Sequence, residues 1–170
     1  MDDREQVFLQ WWADYRAMVC KIARAFAERP QDQEDLLQDI LVRLWQSIPV
    51  FQRKAGPSTW VYRVALNTAL AWKRGAKRHR LARPLWEADV AARGDSSAAA
   101  LENREALDRL YAEIRRLPAP QRSLILLHLD GCTHHDIAQV LGASEGHVAV
   151  KLTRARKLLA ERMKGTSHGP

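Results

Sequence analysis

The run from Leu124 to Leu159, LILLHLDGCTHHDIAQVLGASEGHVAVKLTRARKLL, decides the fold of this chain. It reads as three short helices, the last two with the cadence of a helix-turn-helix. Thr133 stands three residues before Asp136, the spacing at which a threonine and an acid cap a helix start reciprocally. Ile137, Ala138 and Leu141 give that helix an apolar side. Gly142 supplies the left-handed conformation that ends a helix in a tight turn. Ser144 is suited to cap the next helix, which is predicted to run to about Leu159. Ala138, Gly142 and Val148 fall where two crossing helices need a small residue, a bend and a core anchor. Such a unit is expected to bind nucleic acid.

The wheel of the last helix points the same way. At about 100° per residue, Val148, Leu152, Ala155 and Leu159 share one side. The opposite side carries His147, Val150, Thr153, Arg154 and Lys157, flanked by Lys151 and Arg156. A thin apolar seam backed by a basic face suits a major groove, where cations meet phosphates and side chains read base edges. The plainer alternative is a solvated basic helix.

The whole chain bounds what this unit can belong to. Its 170 residues make one ordinary domain or two small ones, and 46% hydrophobic residues support a folded core. No apolar run approaches the roughly 20 residues of a membrane span. The start, Met1-Asp2-Asp3-Arg4-Glu5, lacks the apolar stretch of a signal peptide, so a cytoplasmic location is expected, with no membrane insertion. Cys20 and Cys132 are the only cysteines, and Cys20 lies in an apolar pattern as an expected buried thiol. His128, Cys132, His134 and His135 match no familiar zinc spacing, and no metal or other cofactor is expected.

The net charge of +7 is unevenly spread. Residues 1–53 carry −2, residues 54–83 carry +8 with no acid among them, residues 84–118 carry −2, and residues 119–170 carry +3. Two basic zones separated by an acidic middle fit a chain that touches nucleic acid at two places.

Upstream, Val7, Phe8, Trp11, Trp12, Tyr15, Met18, Val19, Ile22 and Phe26 recur at helical steps, predicting a long helix that ends before Pro30. A second helix starts with Asp32, Glu34 and Asp35 where the helix dipole favours acids, and ends at Pro49. Leu36, Leu37, Ile40, Leu41, Leu44, Trp45 and Ile48 form its apolar set, and Asp35, Gln38, Asp39, Arg43 and Gln46 its other face. Periodicity leaves that face open between solvated surface and protein docking. After a loop at residues 50–57, Ser58 or Thr59 is expected to cap a third helix bearing Trp60, Val61, Val64, Ala65, Thr68 and Trp72. Arg63, Asn67, Lys73 and Arg74 interleave with these, and the helix runs into Lys77, Arg78, His79 and Arg80. With the basic loop residues Arg53 and Lys54, this combination can hold a backbone by charge and a base by stacking. Pro84, Gly94 and Asp95-Ser96-Ser97 break the pattern and mark a flexible linker. Asp95 or Ser96 is then expected to cap a helix through Leu101, Leu107, Leu110, Tyr111 and Ile114 to Leu117. No strand pattern appears, so the chain is expected to be all-α, in two small helical domains.

This order of parts resembles the extracytoplasmic-function (ECF) group of the sigma-70 family, bacterial initiation factors of RNA polymerase. The likeness to region 2 rests on DQEDLLQD at residues 32–39, Arg43-Leu44-Trp45, TWVYRVA at 59–65 and Asn67-Thr68-Ala69. That to region 4 rests on Leu117-Pro118, Arg122, Gly131, Asp136-Ile137-Ala138, Leu141-Gly142, Gly146-His147-Val148 and Arg154-Ala155-Arg156. It covers about residues 10–80 and 105–162. The implied organisation is a region 2-like helical bundle at 1–83, a linker at 84–97 and a region 4-like helix-turn-helix domain at 98–170.

The resemblance implies roles. Asp35, Gln38, Asp39 and Arg43 would dock on the clamp helices of the polymerase β′ subunit, with the β flap a second contact on the core enzyme. Phe51, Arg53, Lys54, Trp60, Arg63 and Asn67 would open the −10 element and hold an everted non-template base, with Lys73, Arg74, Lys77 and Arg78 on phosphates. Ser144, His147, Val150, Lys151, Thr153, Arg154, Arg156 and Lys157 would read the −35 duplex. An anti-sigma factor is among the implied partners, and no enzymatic activity is implied. Three positions in two places depart from the family pattern: Pro57 stands where an aromatic is common, and Ala149-Val150 where a basic and a small polar residue are common. The alternative is a helix-turn-helix regulator whose N-terminal half binds another protein or an effector and never meets core polymerase.

Overall fold

The computed structural model describes residues 2–79 and 98–166. The N-terminal half is three helices, α1 (Asp3–Phe26), α2 (Pro30–Ser47) and α3 (Pro57–His79). Trp11, Met18, Val19, Ile22 and Phe26 form the buried stripe of α1, and Leu36, Ile40 and Leu44 that of α2. Val61, Ala65, Leu66 and Ala69 face them from α3, where the two alanines let the backbones approach closely. Pro49 lies in a 3-10 turn over Ile48–Val50, so α2 ends at Ser47, slightly before the expected stop. The start of α3 also differs from expectation. Pro57 occupies the first helical position, where its fixed φ is preorganised and its missing N–H costs nothing. The N–H of Trp60 accordingly donates to the Gly56 carbonyl at 3.1 Å, while Thr59 is buried rather than capping.

The C-terminal half is α4 (Ala98–Arg116), α5 (Ala119–Leu129), α6 (His134–Leu141) and α7 (Glu145–Thr166). The expected α4 cap at Asp95 or Ser96 and the 84–97 linker lie outside the described residues. Ile114, Leu117, Ile125, Leu127, Ile137 and Leu152 are fully buried between these helices. Every described element is helical, and the architecture is all-α in two small helical units. Cys20 departs from expectation: it is exposed, because it lies off the Met18–Val19–Ile22 stripe of α1.

The capping box of α6 forms in both directions. The Asp136 N–H donates to Thr133 Oγ1 at 3.1 Å, while the Thr133 N–H and hydroxyl donate to Asp136 Oδ2 at 2.9 and 2.7 Å. Gly142 closes the helix at φ 66°, and the N–H of His147 donates to Ser144 Oγ at 3.3 Å to open α7. Removing the Thr133 oxygen by Thr133→Ala is expected to cost about 1 kcal/mol, read as a lower denaturant midpoint at unchanged m-value. These hydrogen bonds hold the Asp136 carboxyl below its ordinary value. A depressed carboxyl stabilises the fold above its unfolded pKa, and the gain is lost as pH falls through the folded value. The wild-type advantage over Asp136→Asn should therefore be full at neutral pH and fade below the ordinary aspartate range.

The two halves share one continuous core. Asp130, in the turn after α5, uses both carboxylate oxygens on the N-terminal half. Oδ1 accepts from Lys21 Nζ at 2.8 Å and Oδ2 from the Tyr62 hydroxyl. The Tyr62 pKa is pushed far up, first by burial and then by this bond. At the other end, Arg24 pairs with Asp108 and its guanidinium lies 4.3 Å from the Tyr111 ring centroid. Arg115 Nη1 donates to the Arg24 carbonyl at 3.0 Å. The half-exposed Lys21 adds little, whereas the buried tyrosine bond to a carboxylate contributes more, roughly 1.5–3 kcal/mol before screening.

Candidate nucleic-acid and docking surfaces

One face of α2 lies opposite its buried Leu36–Ile40–Leu44 stripe. Gln38, Asp39 and Arg43 are exposed there and Asp35 half-buried, so all four expected docking residues share a surface. Val42 joins them with 53% of its surface exposed. The sequence reading missed it, although its position a turn beyond Gln38 and Asp39 was legible. A patch with an apolar centre and a charged rim is the anatomy of a protein contact.

The loop at residues 51–57 and the N-terminal part of α1 line an open cleft of about 580 Å³. That lies within the roughly 300–1,000 Å³ of ligand clefts. Trp11, Val7, Ile48 and Phe51 give it an apolar wall, and Asp3, Gln6, Gln10 and Arg53 bring polar groups. The sequence reading missed Asp3, Gln6 and Gln10 because it took α1 for its aromatic stripe. Their i, i+3, i+7 spacing was the available signal. Arg53 adopts φ 54°, a left-handed conformation uncommon for a non-glycine residue and one that gathers at functional loops. Lys54 is exposed beside it.

The expected aromatic platform is a packed one. Phe51 meets Trp11 edge-on at 5.3 Å and Trp60 at 5.5 Å. The Trp60 indole N–H donates to Ser47 Oγ at 3.0 Å. Trp60 is thus half-buried as a wall behind the loop. Asn67, Lys73 and Arg74 are exposed on α3. Partial desolvation, and then the charge of Arg122, lowers the pKa of the exposed Lys73. Lys77 and Arg78 continue the helix, with side chains outside the described residues. Arg63 is not with this group. Its Nη2 donates to the Gln139 carbonyl at 2.6 Å and its Nε approaches that of Val140 at 3.5 Å, both on α6.

On α7, Val148, Leu152, Ala155 and Leu159 are buried. His147, Val150, Lys151, Thr153, Arg154, Arg156 and Lys157 are all exposed, as the wheel predicts, with Ser144 at the helix mouth. The Thr153 hydroxyl donates to the Ala149 carbonyl at 2.8 Å. Val150 exposes 53% of its surface, an apolar tip among cations. Beside the mouth, His135 Nδ1 lies 2.8 Å from Glu145 Oε1 and its Nε2 lies 3.0 Å from Gln139 Nε2. Donation by the Gln139 amide requires a neutral ring carrying its proton on Nδ1. Among the described residues no cluster of three or more potential metal ligands forms, and the His128–Cys132–His134–His135 set stays apart.

The sigma-70 region 2 model matches residues 11–79 and the sigma-70 region 4 model residues 107–159. The chain is similar to the ECF RNA polymerase sigma factor SigM of Mycobacterium tuberculosis, 31% identical over 154 residues, covering 90% of this chain and 75% of the relative. It is also similar to the RNA polymerase sigma-E factor of Streptomyces avermitilis, 31% identical over 147 residues, covering 85% and 78%. In fold it resembles the sigma factor RpoE of Bartonella quintana, solved in complex with the anti-sigma factor NepR. That match has a TM-score of 0.68 and 22% identity, covering 96% of this chain and 98% of that one. The region 2 match covers the half that the regulator alternative gave to an effector or another protein.

Proposed function

Because the chain belongs to the ECF group of the sigma-70 family, whose members bind core RNA polymerase and promoter DNA and direct transcription initiation, we propose which of its surfaces perform each step. The α2 face of Asp35, Gln38, Asp39, Val42 and Arg43 docks on the β′ clamp helices, and the C-terminal half meets the β flap. The domain at 1–83 melts the −10 element, the segment 84–97 links, and the domain at 98–170 reads the −35 duplex through α7.

The observation that carries the −10 assignment is the cleft between α1 and the 51–57 loop, at the head of the basic helix α3. An everted base brings an apolar face and a polar edge. The Trp11–Phe51 wall matches the first, and the side chains of Gln6, Gln10 and Asp3 match the second. Extrusion costs a few kcal/mol, which stacking and backbone charge from Lys73, Arg74, Lys77 and Arg78 offset. Asn67 lies further along the same helix, on the path of the strand. Permanganate footprinting of holoenzyme on a genomic promoter fragment tests this: Asn67→Ala should weaken the open-complex signal about tenfold, the cost of one good base contact. An equal signal removes Asn67 from the site.

On α7 the cations bear on phosphates, and Val150 is suited to a thymine methyl. Sigma factors are not enzymes, and the specificity proposed here needs no cofactor. A cytoplasmic location follows from work on the polymerase, and no described helix is long and apolar enough to cross a membrane. The anti-sigma partner in the RpoE–NepR complex supports a partner of that kind here.

A further inference from the structure

The two walls of the cleft between α1 and the 51–57 loop carry opposite charge. On the loop stands Arg53, a cation that lines the cleft, with Lys54 exposed beside it. On α1 stands the carboxylate of Asp3. Asp2, Asp3 and Glu5 all gather at the start of this helix, where its dipole favours acids. Of these only Asp3 lines the cleft, so the dipole accounts for its charge and not for its place in the wall.

That place is held from outside the cleft. Arg4, the next residue, donates through Nε and Nη2 to the Trp45 carbonyl at 3.2 and 2.7 Å. Its guanidinium also lies 4.3 Å from the Trp45 ring centroid. The carbonyl belongs to the last turn of α2, where intrahelical partners run out. The first turn of α1, which carries Asp3, is thereby fastened to the end of α2 rather than left to fray. The rest of the α1 wall leans the same way. Gln10 Nε2 donates to Asp14 Oδ2 at 2.9 Å, one turn further along the helix. This commits the donor end of that amide and leaves its oxygen as an acceptor. An ionised carboxylate only accepts, and Gln6 can do either. The α1 wall therefore asks for hydrogen-bond donors, and the loop wall for an anion.

A nucleotide is polarised in the same sense. Its phosphate suits Arg53 and Lys54, which leaves the base on the Trp11–Phe51 wall with its edge toward α1. The pairing edges of the four bases differ in what they present there. Guanine, cytosine and adenine each carry an amino group that donates to a carboxylate. Thymine has one N–H between two carbonyl oxygens, so its lone pairs meet the charge of Asp3. We infer that Asp3 is a specificity-determining residue of this cleft, selecting an everted base with an amino group on its pairing edge and rejecting thymine.

The inference rests on the assignment of the cleft to a −10 base, and one experiment distinguishes the two. Holoenzyme, core polymerase with the full chain, is bound to a genomic promoter fragment premelted across −10 by mismatches, so that pairing strength does not enter. Abasic sites are placed one by one along the non-template strand. The position whose abasic loss shrinks in Phe51→Leu is the base held in the cleft. If no abasic loss depends on Phe51, the assignment of the cleft fails and the inference with it. At that position thymine should bind about tenfold more weakly than the best of the other three bases, the worth of one base-edge contact. Asp3→Asn sets a donor beside the acceptor on the same frame, and should bring thymine within about twofold of that base. Thymine held by the wild type as well as the others overturns the selection. A thymine penalty that survives Asp3→Asn overturns the role of Asp3. In both of those cases the base still sits in the cleft, and only the inference falls.

Discussion

Replacing Asp35 and Asp39 together with alanine is expected to lower affinity for core polymerase about a hundredfold, close to 3 kcal/mol. Both side chains lie on the outward face of α2, while the residues that hold the helix in place are Leu36, Ile40 and Leu44 on the other side. The substitution therefore removes charge from a contact surface without opening the core, and thermal stability should move by no more than about 1 kcal/mol. Binding of the same variant to −35 duplex DNA should match the wild type, since α7 is remote in sequence and function. Competition against labelled wild-type factor on core enzyme gives the number. Unchanged affinity would remove α2 as the docking face and would also withdraw Val42 from it.

The second large effect is expected at Arg122. This side chain is 2% exposed. Its Nη2 donates to the Leu117 carbonyl at 3.0 Å and to that of Arg115, where α4 ends without a glycine cap. The guanidinium carbon lies 4.9 Å from the Phe26 ring centroid, so the same group stacks against α1. Burial, and then the charge of Arg115, lowers its pKa; the two carbonyls on Nη2 offset part of that cost, while the buried Nε has no partner. Arg122→Ala removes the stacking and leaves two carbonyls without their donor, for a loss of about 2–4 kcal/mol. For a chain of this size that lowers Tm by roughly 5–15 °C. Arg122→Lys keeps the charge and a donor nitrogen but loses the planar group that stacks on Phe26, and should lie between the two. A melting temperature for the alanine variant within about 2 °C of wild type would contradict the assigned role.

The parts of the fold legible in the sequence are those governed by nearest neighbours on one helix. The Thr133–Asp136 cap, the Gly142 bend and the buried and exposed sides of α7 follow from backbone geometry that spans a few residues. What was not legible depends on partners far along the chain. Arg63 looked like any other cation of a basic helix until α6 brought its carbonyls from 76 and 77 residues away. Asp130 carried no signal of its own in the sequence, yet it meets Lys21 across 109 positions. Trp60 carried the right chemistry for stacking, but Phe51 already packs against its ring at 5.5 Å. Asp3, Gln6 and Gln10 were masked by a stronger aromatic pattern on the same helix. In the candidate sites, residue identity was readable and residue availability was not, because availability is set by packing.

The shared core has a consequence for how long the factor lasts. Each half is small enough that its own apolar interior is marginal, and a domain of about 60 residues buries only about 60% of its unfolded surface. Here Phe26 of one half lies against Arg122 of the other, and Arg24 against Tyr111. Each half thus shields the other from unfolding while the factor is idle. The lifetime of the chain against proteolysis is therefore set by the stability of the joint core, and a substitution that loosens the seam shortens it without touching either half's own interior.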